Sequence, residues 1–459
     1  MKKIPLVISV VSALSVNGAY AQQTIDSDIW QPFEASALSA KRALNSQAAK
    51  KQTFHLDLNR IEQTLLEQDS VMLKLPLPNG EFRTFKLEAS RVMAPELASK
   101  YPSIRTFSGY EVNAPKNKGR FDITPHGFHA VFNIGDDKVF IDPMYRESRD
   151  EYQSYFQRDA KPLSSASKRM APRVKQHLEQ YKSRDAKSAD DSKITYRIAV
   201  TNTGEYADFH GGTKEKTLAA IVTMLNRVNE VYQRDLDVTL ELVANNDDIL
   251  FTDASSDPFD NTDNDIDKTT QVINDAIGQD NYDIGHIVGT GGGGLAGLGV
   301  VCSNSKAEGV TGSDSPTNDS FYIDYVAHEI GHQFGAEHTF NGESEACGGG
   351  NREGSSAYEP GSASSIMGYA GICGAQNIQT HSDPYFHIHS IDQMRAFIQT
   401  GEGANCGTRV AKTNQAPLVD AGKDYTIPAN TPFTLVGSAT DTDSDVLSYS
   451  WEQFDLGAA

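Results

Sequence analysis

Apolar and polar positions alternate in "SVMLKLPLP", residues 70–78, the period-two pattern of a strand with one buried face. "NGEF" then supplies a turn and "RTFKLEA" the return strand. "HAVFNI" and "DKVFIDP" repeat the arrangement around Gly135 and Asp136. Just before them, "FHLDLNRIEQTLLEQ" spaces Leu58, Ile61, Leu65 and Leu66 as one helical stripe. These signals predict a small α+β unit over roughly residues 53–143. From residue 159 to 193 large apolar residues thin out, and Lys, Arg, Ser and Ala predominate. That stretch predicts an exposed linker with one weak helix, suited to proteolytic nicking.

The pattern strengthens again at Ile194. "ITYRIAVTNT", "DVTLELVAN" and "YDIGHIV" read as strands. Between them, "KEKTLAAIVTMLNRVNEVYQRDL" places Leu218, Ile221, Val222, Leu225, Val228 and Val231 on one side of a long helix. "KTTQVINDAIG" and "SIDQMRAFIQT" predict further helices, the latter starting near Ser390. "SFYIDYVAHEIGHQF" predicts one more, capped by Asn318, Asp319 or Ser320. Strands alternating with helices imply a layered sheet. After Cys406 the style shifts to short alternating runs and turn residues, as at the start of an immunoglobulin-like sandwich, over only half the length such a domain needs.

Composition narrows the class. The chain has 459 residues, 38% hydrophobic and 22% charged, with a formal net charge of −20 from 41 basic and 61 acidic residues. Such an acidic balance argues against nucleic acid or anionic membrane as the main partner. The N-terminus joins Lys2 and Lys3 to an apolar stretch from Ile4 to Val16 and a small-x-small site at Ala19-Tyr20-Ala21. This is the order of a signal peptide over residues 1–21, so a secreted protein is expected, with the periplasm as an alternative. No other apolar run is long enough for a membrane span. Cys302, Cys347, Cys373 and Cys406 are even in number, and export implies two disulfides, with three pairings open.

The densest chemistry is "HEIGHQFGAEH", residues 328–338. Positions i and i+4 share a helix face, so His328 and His332 can offer imidazole nitrogens to one metal ion. Glu329 lies slightly round the helix, placed for a metal-bound water rather than the metal. Gly335 can take left-handed geometry and end the helix, letting His338 return as third ligand. Three protein ligands leave an open position, which marks a catalytic rather than a structural zinc. With 12 His and 37 Gly in the chain, five fixed matches arise by chance on the order of a few times in 10⁵ chains.

The pattern H-E-x-x-H-x-x-G-x-x-H resembles the metzincin clan of zinc endopeptidases. "SSIMGYAGICG" supplies the Met-turn this resemblance demands, with Met367 as an apolar floor beneath the ligands. Tyr369 follows two residues later, as in astacins and serralysins, where the Tyr reaches zinc or the transition state. The disulfide-bearing layout is more similar to reprolysins (adamalysins), and implies the pairs Cys302–Cys406 and Cys347–Cys373. The resemblance covers about residues 194–407. It implies an α+β fold: a metzincin-type catalytic domain over 194–412, with a twisted mixed sheet, an active-site helix and a Met-turn. A small α+β propeptide with its linker, 22–193, precedes it, and a partial Ig/PKD-like β segment, 413–459, follows. The whole is similar to a secreted bacterial type.

The implied activity is hydrolysis of peptide bonds in proteins or peptides, through a zinc-bound water activated by Glu329. The propeptide would act as an intramolecular inhibitor. It holds no Cys, so a thiol latch is excluded; Asp136 in "FNIGDD" loosely resembles the aspartate latch of astacins with one residue extra. "GTGGGGLAGLGVVC", residues 289–302, has no helix after it and so is not a nucleotide loop; the resemblance makes it a flexible loop and the edge strand for substrate. The acidic stretches 253–268 and 441–445 are solvated loops or calcium sites. His381, His387 and His389 are expected as structural or rim residues. Two rival classes are a zinc-binding adhesin or receptor domain with a dead site, and a zinc amidase. The intact Glu329 argues against the first, and the extended motif with its Met-turn against the second.

Overall fold

The computed structural model describes residues 24–35, 48, 50–146, 148–160, 168–169 and 192–457. The expected signal peptide and nearly all of the linker, including its weak helix, lie outside the described residues.

Residues 24–156 build one ten-stranded sheet, more extensive than the unit expected from residue 53. From Ser70–Pro76 the chain meanders antiparallel through Phe82–Ser90, Arg105–Glu111, Ala114–Thr124, Gly127–Ile134, Asp137–Pro143 and Glu151–Phe156. Lys51–Leu56 and Trp30–Pro32 complete that side, and Thr24–Ile25 runs parallel to Ser70–Pro76 on the opposite edge. Alternation sets the register: Val71, Leu73 and Leu75 all face inward, with Leu73 opposite Phe85. The helix Leu58–Glu67 starts where the Asp57 carboxylate accepts from the Arg60 N–H. Phe54 and His55, read as the start of that helix, belong instead to the strand Lys51–Leu56.

The second sheet is laid out as Val238–Leu242, Ser192–Asn202, Ile284–Gly289 and Gly309–Gly312 in parallel, then Gly293–Ala296 antiparallel, with the two-residue strand Lys168–Arg169 outermost beyond it. Thr408–Ala411 runs antiparallel beside the start of Ser192–Asn202. The long helix Lys214–Leu236 packs against this sheet, and every residue from 217 to 229 is buried. Its sequence predicts one apolar side only. The other side carries Thr223, Asn226 and Arg227 and is covered by the first sheet, whose polar groups bond to it. Among the described residues no helix is long and apolar enough to cross a membrane.

The helix predicted over 320–334 is a composite. A single α-turn, Asp319–Phe321, leads into a π-helical turn, Tyr322–Ala327, and then the α-helix His328–Gln333. Asn318 stands at its N-terminus without a side-chain cap bond. The last helix, Ile388–Thr400, is capped by His387, whose ring accepts from the His389 N–H, two residues before the expected start. Beyond Thr408–Ala411, the expected partial sandwich is one strand pair, Leu418–Asp420 with Ser438–Thr440, and Leu418, Val419, Val436 and Val446 stay exposed. Its end returns to the body of the protein, where Phe454 stacks on Tyr358 at 4.9 Å.

Candidate metal centre

His328 and His332 lie one turn apart on the helix His328–Gln333, as the i, i+4 spacing requires. The helix ends at Phe334, and Gly335 takes a φ of +92°, a conformation that L side chains resist. The chain reverses there, and Ala336 O comes back to within 2.6 Å of His332 Nδ1. Two residues later His338 swings in beside the other two rings.

The three imidazoles are 0–1% exposed, and their Nε2 atoms lie 3.0–3.1 Å apart. Each Nδ1 faces a backbone carbonyl: Ile366 O at 2.7 Å from His328, Ala336 O at 2.6 Å from His332 and Asn351 O at 2.6 Å from His338. A carbonyl accepts only, so each ring carries its proton on Nδ1. The three Nε2 lone pairs then converge on one point with no proton among them. That arrangement is repulsive unless a cation occupies the point, and a centre at the usual Zn–N length of about 2.0–2.1 Å from all three is accessible. Burial also pushes His332 down to about 4, which keeps the ring neutral, the form that binds metal. Among the described residues this trio is the one group of His, Cys, Asp and Glu able to hold an ion.

Met367 lies beneath the trio, and its reason is visible at Gly331. A Cβ on Gly331 would meet Met367 Sδ at 2.7 Å, so the glycine between the two helical ligands is the slot that receives the thioether. The same turn carries Ile366 O, which orients His328. Tyr369 is buried, with its ring 4.6 Å from that of His338 and 5.6 Å from that of His328. Glu329 is fully buried and packs on the edge strand Gly293–Ala296; a Cβ on Gly294 would overlap Glu329 Oε1. The edge strand must therefore be glycine there for the carboxylate to stand where it does. On its open side that strand pairs in parallel with the linker residues Lys168–Arg169, Lys168 beside Gly293 and Arg169 beside Gly294.

Several supports of the site carry no local sequence signal. The buried Glu359 accepts from Thr339, next to His338, and from the N–H groups of Ser364 and Ser365, so it clamps the third ligand to the Met-turn. Gln333 bonds His286 at 3.0 Å and Gly285 O at 2.8 Å, locking the active-site helix onto the sheet. Asp324 bonds His381 at 3.0 Å and the Ser382 N–H at 2.9 Å. His389 bonds Ser356 and His387 bonds Gln453 O, so all three late histidines have structural partners outside the trio. The disulfides Cys302–Cys406 and Cys347–Cys373 both form, the second bracing the loop that holds Met367.

Other candidates fall elsewhere. Asp136 sits in the exposed hairpin turn after Gly135, whereas the trio is buried, so the structure does not bring this latch candidate to the ligands. Two carboxylates of the 253–268 loop accept from backbone N–H groups: Asp257 from Gly204 and Phe259, and Asp265 from Asp260 and Thr262. Asp441 likewise accepts from the N–H groups of Asp443 and Asp445.

Residues 192–395 match the model of a family described as metallo-peptidase family M12B, reprolysin-like. No curated protein matches the chain. Among solved structures, the chain is similar to metalloproteinase-II from Bacteroides fragilis, at 11% identity and a TM-score of 0.43, over 76% of this chain and 97% of that one.

Proposed function

Residues 192–395 form a reprolysin-like metzincin domain, hence a zinc-dependent peptidase unit, and from that premise we propose that the protein is a secreted endopeptidase held latent by its own N-terminal half. The observation that carries the reading is the convergence of three Nε2 atoms, each ring held through Nδ1 by a backbone carbonyl, beside a buried carboxylate that packs on the strand Gly293–Ala296. Zinc, when bound, would polarise a scissile carbonyl and acidify water. His328, His332 and His338 would hold it, each fixed by its Nδ1 contact to a backbone carbonyl.

Glu329 is the proton carrier. As a carboxylate it takes a proton from the attacking water, and it then delivers that proton to the departing amine nitrogen. The bare backbone of Gly293–Ala296 offers N–H and C=O groups to an extended peptide, which aligns the scissile bond beside Glu329. Tyr369 forms the wall against the ligand rings, and we assign its hydroxyl to stabilising the oxyanion side of the reaction. Latency rests on the pairing of Lys168–Arg169 with Gly293 and Gly294: the strand a substrate needs is already taken. Export through residues 1–21 belongs to the same reading, since both disulfides require an oxidising compartment.

The test is hydrolysis of a denatured protein substrate by linker-cleaved protein. Activity that a chelator abolishes and zinc restores supports the proposal. Metal-loaded, linker-cleaved protein that cuts no peptide bond would leave a zinc-binding adhesin as the better account.

A further inference from the structure

The contact of the linker with the strand beside Glu329 and the contacts that hold the N-terminal sheet in place are at different ends of the molecule. The first involves the linker and the edge strand Gly293–Ala296. The second lie at the opposite edge, along Val238–Leu242, and over the long helix Lys214–Leu236.

At that far edge the excursion between Phe82–Ser90 and Arg105–Glu111 enters the metzincin core. Val92, Met93, Leu97 and Ile104 are 0–6% exposed and share one apolar cluster with Leu218, Val222 and Leu240. Met93 bridges Leu242 in parallel, with the Ala94 N–H donating to Leu242 O at 2.9 Å and the Leu242 N–H to Val92 O at 2.8 Å. The N-terminal half thus extends the catalytic sheet by a residue. Over the helix, Asn226 donates to Phe121 O at 3.0 Å and Thr223 to Asp122 at 3.0 Å, both buried. Arg120 reaches Gln233 at 2.6 Å and Lys138 reaches Glu230 at 3.5 Å. Lys100 meets Asp247 at 3.0 Å on the rim. None of these groups belongs to the linker.

We propose that the N-terminal half, residues 24–160, stays bound to the metzincin domain after the linker is cut, so that the working enzyme is a two-chain complex. Of the contacts between the two halves, cutting the linker bears only on the pairing along Gly293–Ala296. Separating the halves would return Val92, Met93, Leu97 and Ile104 to water, uncover the apolar wall that receives them, and leave Asn226 and Thr223 without their partners. Interfaces of this type, apolar at the centre and hydrogen-bonded around it, resemble a core cut in two, and such interfaces are permanent. The partner this surface fits is therefore the chain's own excised half. The proposal rests on the latency reading only for the location of the cut.

The experiment nicks the purified full chain within residues 161–191 and follows both fragments by size-exclusion chromatography and native mass spectrometry. The expected result is one 1:1 complex that survives dilution to nanomolar concentration. Met93→Asp and Leu97→Asp should each weaken the nicked complex, on the order of tenfold to a hundredfold. In the uncut chain the tether keeps the halves at high effective concentration, so there both variants should remain folded and docked. A wild-type N-terminal fragment eluting apart from a folded metzincin fragment overturns the proposal, as does release unaffected by either substitution. Peptide turnover separates the two readings. A persistent complex without activity contradicts latency by the linker and leaves retention standing. Active enzyme freed of its N-terminal half contradicts retention and leaves latency standing.

Discussion

At the scale of single residues, the site is a set of close packings around three imidazoles. Met367 fills the slot that Gly331 leaves, directly under the ligands. Met367→Ala would open a cavity there and should cost about 2–5 kcal/mol of stability, whereas Met367→Leu keeps the volume and should cost less than about 1.5 kcal/mol. Denaturant titration of the zinc-loaded proteins reads both, and an Ala variant as stable as wild type would remove Met367 from its supporting role. Tyr369→Phe keeps the ring beside His338 and deletes one hydroxyl. Zinc content should hold and kcat should fall by about 10²-fold; unchanged turnover would reduce Tyr369 to packing alone.

At the scale of elements, the helix Lys214–Leu236 carries a charge cluster at the junction of the two halves. Arg227 is 3% exposed and pairs with both Asp319 and Glu230 at 2.7–2.8 Å. Burial alone would raise the Glu230 carboxyl, but Arg227, Lys138 and Arg120 outweigh it and hold Glu230 down to about 2. A lowered carboxyl stabilises the fold above its unfolded value of about 4.5, and that contribution disappears as pH falls from there towards 2. Acid unfolding of the full chain should therefore steepen in that window, and Glu230→Gln should flatten it; parallel curves would contradict the assignment. Cys347–Cys373 closes a loop of sequence separation 26 around Met367. Replacing both cysteines by Ser should cost about 3 kcal/mol, measured by thermal melting.

The same helix shows what was legible. Its ends, Lys214 and Leu236, coincide with its apolar periodicity, because that periodicity reports the sheet beneath it. The burial of Asn226 and Arg227 was not legible, because polar residues signal a solvent face until a second polar surface is known to meet them. The metal ligands and Met367 stood out because fixed spacing on a helix and turn encodes their meeting. Glu359 and the His286–Gln333 pair did not, since their partners are distant in sequence and no local pattern joins them. The π-turn at Tyr322–Ala327 was hidden for a related reason: its residues show ordinary helical composition.

At the scale of the whole molecule, two sheets share the long helix, and the strand Gly293–Ala296 beside Glu329 lies at the end of the second sheet remote from their junction. On the latency proposed above, activation needs only a local event at that edge. Cutting between Asp159 and Ile194 should raise peptide turnover well above that of the intact chain, and N-terminal sequencing of the metzincin fragment should place its start in that interval. Full activity in an uncut chain would reject latency.

The central claim is that this centre hydrolyses peptide bonds, with zinc held by three histidines and the protons moved by Glu329. It is tested most directly by measuring zinc content and peptide turnover of linker-cleaved wild type and Glu329→Ala side by side. The account predicts about one zinc in each, and turnover in the variant reduced by at least about 10²–10⁴-fold. A variant that keeps its zinc and near-normal turnover, or a folded wild type that hydrolyses peptides with no zinc bound, would contradict it.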